Sequence, residues 1–168
     1  ILLAQNDVPV TMLARTQAEA ETLASQGRNT RFLPDAPFPN RLSVTGEPES
    51  ALKQSDLVII AVPSDRLREN VQRIKPHLRA GAIVLSATKG LELPTARRMS
   101  QVLQDELPAD FHEDICVLSG PNLAKEIAAG KPASTVIASK NPDAAQKAQN
   151  ALMSAAFRVY TSADVLGV

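Results

Sequence analysis

Short, unbroken apolar runs recur along the chain, separated by segments whose apolar residues fall at helical spacing. The runs at residues 8–14, 42–45, 56–64, 82–86, 115–118, 134–138 and 157–161 predict strands. The continuous β-branched stretch Val58-Ile59-Ile60 is the pattern of a strand covered on both faces. Helices are predicted between the strands. Residues 17–26 are rich in Ala and Glu, with Gly27 just beyond as a stop. Residues 48–54 predict a short helix with Glu47 as its cap. Ser64 is placed to cap a helix that carries Leu67, Val71, Ile74 and Leu78 on its core face. Pro94 begins another, with Met99, Val102, Leu103 and Leu107 on one side. Pro121 begins a further one, capped by Ser119 or Gly120, because a proline at the first helical position gives up no hydrogen bond. Asn141-Pro142-Asp143 starts the last, with Ala144, Ala148, Ala151, Leu152 and Ala155. Residues 29–40 contain Pro34, Pro37 and Pro39 and predict an irregular excursion, in which Phe32 and Phe38 would form a small cluster pinning the loop. Alternating helices and fully apolar strands define an α/β fold, a doubly wound and largely parallel sheet with helices on both faces.

Composition then removes whole classes of function. A chain of 168 residues can bury a full core as one domain. A net charge of +0 exerts no pull on nucleic acid or anionic lipid, and 3% aromatics with no Trp leave no base-stacking platform, so no nucleic-acid partner is expected. No apolar stretch is long enough to cross a bilayer and no secretory signal is visible, so no integral membrane segment and a cytoplasmic location are expected. Cys116, alone in an apolar run, predicts a buried small hydrophobe. His77 and His112 stand without a second ligand at metal-like spacing; both are assigned to the surface and no metal is expected.

Ligands of open α/β sheets bind outside the carboxyl ends of the strands, and three such ends carry candidate chemistry. Ser119-Gly120-Pro121-Asn122-Leu123-Ala124-Lys125-Glu126 joins a buried strand to a helix start, whose free N–H groups suit a phosphate or carboxylate. A plain connecting turn accounts for the same residues. Lys89, between Thr88 and Gly90, would stand at the ligand-facing edge of the sheet, and a solvated loop lysine fits equally. Arg15 closes the run at residues 8–14. At that place an acidic residue binds the NAD 2′-hydroxyl and an arginine suits the NADP 2′-phosphate, although a solvated surface arginine also fits.

Five blocks now stand in order: Asn29-Thr30-Arg31-Phe32-Leu33-Pro34, Ala61-Val62-Pro63-Ser64, Ala87-Thr88-Lys89-Gly90-Leu91-Glu92, the block from Ser119 to Glu126, and Tyr160-Thr161-Ser162-Ala163-Asp164-Val165-Leu166-Gly167-Val168. In order and spacing they resemble the cofactor domain of bacterial-type NAD(P)-dependent glycerol-3-phosphate dehydrogenase, over essentially the whole chain. The resemblance implies a Rossmann-like NAD(P)-binding domain over residues 1–161. Residues 162–168 would begin a linker to a helical substrate domain. It also implies that the family's first strand and its Gly-x-Gly-x-Trp-Gly loop precede Ile1. The general acid/base lysine would lie beyond Val168, so this chain alone would be inactive. Phe32 stands where the family often has Tyr.

The implied reaction moves a hydride between NADP or NAD and C2 of sn-glycerol 3-phosphate or dihydroxyacetone phosphate, feeding glycerophospholipid synthesis. The full-length protein would be a homodimer acting on a phosphorylated small molecule. By motif, Lys89 would sit beside nicotinamide and substrate, and Gly120 and Asn122 would touch the substrate. Pro63 and Ala124 would lie against the cofactor, Arg15 at the NADP 2′-phosphate and Phe32 at the adenine end. Glu126, four residues after Asn122 and so one turn on along the same face, would orient its neighbours. Two other readings share the pattern: a related hydroxy-acid dehydrogenase, such as a 6-phosphogluconate-like or ketopantoate-reductase-like enzyme, and a non-catalytic NAD(P)-sensing domain.

Overall fold

In the computed structural model, which describes residues 1–93 and 95–168, the apolar runs become strands that are shorter than the runs themselves. The elements are α1 (Leu2–Gln5), β1 (Val10–Leu13), α2 (Gln17–Gln26), β2 (Leu42–Thr45), α3 (Pro48–Leu52), β3 (Leu57–Ile60), α4 (Leu67–Ile74), β4 (Ile83–Ser86), β5 (Leu91–Glu92), β6 (Arg97–Arg98), α5 (Met99–Glu106), β7 (Ile115–Ser119), α6 (Ala124–Ala128), β8 (Ala133–Ser139), α7 (Pro142–Leu152) and β9 (Phe157–Ser162). The main sheet has the order β3-β4-β7-β8-β9. Its pairings are parallel except β7 with β8, which run antiparallel with Cys116 opposite Ser139 and Ser119 opposite Val136. β1 and β2 form a separate parallel pair, Val10 opposite Leu42. The doubly wound, mostly parallel sheet expected from the pattern is therefore present, in two pieces and with one antiparallel pairing.

Strand alternation sorts the core into two layers. Val58 and Ile60 of β3 and Val84 of β4 pack with Leu67, Val71 and Ile74 of α4 and Met99, Val102 and Leu103 of α5. Ile83 and Leu85 of β4 and Cys116 of β7 point the other way, toward Ala144, Ala148 and Leu152 of α7. Every residue of β4 is buried, which is why it reads as an unbroken apolar run. The β1–β2 pair is tied to the main body by Arg73 of α4, whose guanidinium donates to the carbonyls of Ala14 (3.2 Å) and Gly46 (2.8 Å).

Several local expectations are corrected. Ser64 caps no helix; it opens a 3-10 turn, Ser64–Arg66, and α4 follows at Leu67. Glu47 holds the cap position of α3 without a side-chain bond, and Pro48 supplies the start instead. Pro94 lies outside the described residues; α5 begins at Met99, because Arg97 and Arg98 first pair as a strand with Glu92 and Leu91. Ala155 lies past the end of α7. Phe32 is 59% exposed, so it pins no loop against Phe38. His77 and His112 are half-buried rather than on the surface, and His112 Nε2 lies 3.0 Å from the Leu107 carbonyl.

An ion-pair network joins α4, α5 and the β5–β6 hairpin. Arg68 donates to both carboxylate oxygens of Glu92 (2.7 and 2.9 Å), to Asp105 (3.2 Å) and to Glu106. Thr95 Oγ1 donates to Glu92 at 2.6 Å. The Arg68 guanidinium, and after it the Thr95 hydroxyl, hold the Glu92 carboxyl at about 2, below its ordinary 4.5. A carboxyl lowered by folding contributes stability above its unfolded value and loses it on protonation. The melting temperature of Glu92→Gln should therefore fall below that of the native protein at neutral pH. The two should converge as the pH drops from 4.5 toward about 2. Melts across that range check this; a gap that stays constant would contradict it.

Candidate cofactor and substrate site

Parallel strands end together, and the loops after β3, β4 and β7 meet at one edge of the main sheet. The Thr88 hydroxyl joins two of them. It accepts the Val62 N–H (3.3 Å) and donates to the Ile60 carbonyl (3.4 Å), while the Thr88 N–H donates to Ser86 Oγ (3.3 Å). Lys89 then reaches across to the third loop, its Nζ donating to the carbonyls of Gly120 (3.2 Å) and Asn122 (3.3 Å). The side chain is exposed, and among the described residues its partners are backbone oxygens rather than a carboxylate. Its positive charge is thus aimed at the sheet edge and left uncompensated.

The Gly120–Asn122 segment is a tight turn, not a helix start. The Asn122 N–H returns to the Gly120 carbonyl at 2.8 Å, and α6 begins at Ala124 with Leu123 in the cap position. Pro121 therefore sits in the turn, neither Ser119 nor Gly120 caps a helix, and the short α6 offers no helix end to an anion at Pro121. The turn is pressed against β8: the Thr135 hydroxyl donates to the Ser119 carbonyl at 2.7 Å. A Cβ on Gly120 would lie 2.8 Å from Asn122 Nδ2 and 2.9 Å from the Ser134 carbonyl, so only glycine fits. The Asn122 amide is buried with neither Nδ2 nor Oδ1 hydrogen-bonded among the described residues. Buried amides seldom go unpaired, which marks this side chain out from the rest of the loop.

A cleft of about 340 Å³ opens between these loops, the start of α5 and the last residues of the chain. Thr88, Lys89, Gly90 and Gly120 line one side, and Val165, Leu166 and Val168 another. Arg98 also lines it, with its Nη1 buried and without a hydrogen bond among the described residues. Sequence reading missed Arg98 and Thr88. The tandem Arg97-Arg98 before an apolar helix was the available signal for the first, and the Thr-Lys-Gly run for the second.

A second locus lies at the carboxyl end of β1. Thr16 caps α2 by accepting the Glu19 N–H, and Glu19 is thereby turned toward Arg15. Arg15 grips both carboxylate oxygens of Glu19, at 3.0 and 2.9 Å, and its own N–H donates there too. These bonds lower the Glu19 carboxyl and raise the Arg15 guanidinium. Arg31 adds its charge to the same neighbourhood and lies over the exposed Phe32 ring, 4.9 Å from its centre. Arg15, Arg31 and Phe32 are all exposed, and guanidinium groups beside a flat ring are chemistry that can take a phosphate and an aromatic base. Pro63 and Ala124 are both exposed, Pro63 just past β3 and Ala124 at the first position of α6. Glu126 does not share a helix face with Asn122, which precedes the helix; its carboxylate instead accepts from Lys131 at 3.4 Å.

Fold and loops together are those of a Rossmann-like α/β domain. The family model for the N-terminus of NAD-dependent glycerol-3-phosphate dehydrogenase matches residues 1–145, and the chain belongs to that family. It is 46% identical over 168 residues to glycerol-3-phosphate dehydrogenase [NAD(P)+] of Dehalococcoides mccartyi, covering 99% of this chain and 47% of that protein. The crystal structure of glycerol-3-phosphate dehydrogenase from Coxiella burnetii superposes with a TM-score of 0.90 at 30% identity, over 99% of this chain and 50% of the other. A ketopantoate reductase from Ralstonia eutropha gives a TM-score of 0.70 at 20% identity over 98% of this chain and 52% of its own, a likeness of fold alone. The chain spans about half the length of the curated relatives it matches. No helix among the described residues is long and apolar enough to cross a membrane, and these residues hold no cluster of metal-ligating side chains.

The packing at Gly120 generates a prediction. Gly120→Ala must displace either the Asn122 amide or the β8 backbone, so in the full-length protein it should raise the KM for the substrate about tenfold or more. Thr45→Ala, remote from this edge, should leave KM unchanged. Steady-state kinetics check both, and a native-like KM for Gly120→Ala would contradict the stated packing.

Proposed function

We propose that the full-length protein interconverts sn-glycerol 3-phosphate and dihydroxyacetone phosphate, with NADP or NAD as cofactor. The observation that carries the reading is the Lys89 ammonium held over the Gly120 and Asn122 carbonyls at the meeting point of three strand ends. Residues 1–161 would be the cofactor domain and 162–168 the start of the linker to a helical domain that supplies the general acid/base lysine. The bound nicotinamide would supply the hydride chemistry. The chain's own residues supply position and charge. Lys89 places a cation where negative charge develops on the C2 oxygen of the substrate, and a charge fixed in advance needs no reorganisation during reaction. Gly120 allows close backbone approach, and the Asn122 amide, without a hydrogen bond among the described residues, would turn to a substrate hydroxyl. Pro63 and Ala124 would border the cofactor.

At the other locus, Phe32 would meet the adenine, and Arg15 the 2′-phosphate of NADP in competition with Glu19. We place the protein in the cytoplasm and infer that the full-length form is a homodimer.

Lys89→Ala in the full-length protein should lower kcat/KM more than tenfold, a loss of about 1.4 kcal/mol of transition-state stabilisation or more. Turnover of glycerol 3-phosphate near the native rate would sink the assignment. Arg15→Ala should weaken use of NADP(H) more than of NAD(H), whereas Glu19→Gln, which frees the guanidinium, should shift preference toward NADP(H). Cofactor titrations of both variants test this, and equal effects on the two cofactors would count against it.

A further inference from the structure

Lys89 stands on a short loop anchored at both ends, and the two anchors differ in kind. On one side, Thr88 hydrogen-bonds backbone groups of the strand ends. On the other, Gly90 turns the chain at φ 97, in the left-handed region that favours glycine, and Glu92 follows. Glu92 is almost wholly buried, and both its oxygens are taken by the Arg68 fork, with Thr95 adding a further bond. A two-pronged arginine–carboxylate pair fixes orientation as well as distance. Arg68 is itself steadied from behind by Asp105 and Glu106 of α5. Lys89 has no comparable restraint of its own, being an exposed side chain on a flexible stem that touches two carbonyls.

We propose that Glu92 is a positioning residue for Lys89: through Arg68 it fixes the backbone of residues 89–92, and with it the seat of the ammonium over Gly120 and Asn122. Loss of the Glu92 charge releases the loop selectively. Arg68 keeps Asp105 and Glu106, so α4 and α5 stay bridged while the lysine loses its fixed base. Only the kinetic arm of the following test rests on the reading of Lys89 as a substrate-contacting residue.

The test is a double-mutant cycle in the full-length protein with Glu92→Gln and Lys89→Ala. Glu92→Gln should lower kcat/KM about tenfold in the native background and less than about twofold once Lys89 is gone. In a protein that turns over glycerol 3-phosphate, equal losses in both backgrounds would mean a general structural role and overturn the proposal, as would no loss in either. A second arm needs no turnover. Lysines are reductively methylated with 13C-formaldehyde, and the Lys89 resonance is assigned by its loss in Lys89→Ala. In Glu92→Gln that resonance should move toward the free-lysine position, and Lys89 should be methylated several-fold faster. Arg68→Lys, which keeps the charge and loses the fork, should move it the same way and serves if Glu92→Gln does not fold. An unmoved resonance in folded variants overturns the proposal. A moved resonance in a protein that never turns over glycerol 3-phosphate supports the positioning and refutes the proposed function instead.

Discussion

Parallel pairing of β3, β4 and β7 sends three carboxyl ends to one edge, and the candidate chemistry of the main sheet gathers there. The loops that leave those ends are far apart in sequence, near residues 61, 87 and 120, yet a single lysine spans two of them. The pairing holds because all three strands are covered on both faces by apolar side chains. A slip of one residue would turn Val84 and Leu85 to the wrong layers and destroy both cores together. The site inherits its geometry from burial that has nothing to do with ligands.

That inheritance explains a division of labour between the two loci. The Lys89 edge is built by hydrogen bonds to backbone groups of the strand ends and the Gly120 turn. The Arg15 surface is built from exposed side chains, Arg15 gripping its neighbour Glu19, where solvent screens the pair and a competing phosphate can exchange for the carboxylate. Backbone-bonded groups thus stand at the proposed reaction edge, and an exposed ion pair stands at the place proposed for the 2′-phosphate of the cofactor.

Much of the fold is legible in the sequence, for identifiable reasons. Doubly covered strands leave unbroken apolar runs, and the stop of α2 at Gly27 and the start of α7 at Asn141-Pro142-Asp143 are read correctly, whereas the Thr16 cap of α2 emerges only in the structure. Where sequence reading fails, long-range contacts overrule local preference. Pro121 has the credentials of a helix start, but the Gly120–Asn122 turn is pressed against Ser134 and Thr135, and the helix waits until Ala124. Arg68 and Glu92 lie 24 residues apart and carry no mutual signal until α4 and the β5–β6 hairpin are brought together. The blocks that bring Lys89 to Gly120 and Asn122 are legible in the sequence; that the Asn122 amide and one Arg98 nitrogen are buried without a hydrogen bond among the described residues is not, because it depends on what surrounds each atom rather than on its neighbours in the chain.

Cys116 has a consequence of a different sort. It is the single cysteine of this chain and is wholly buried in β7, between β4 and β8, where burial pushes the thiol up to about 11. At neutral pH the thiol therefore stays protonated, and no reagent reaches the sulfur while the strands stay paired. Alkylation of this thiol can proceed only during openings of the central sheet. The residue is therefore a built-in clock, whose labelling rate counts the excursions that bring the shared strand edge apart.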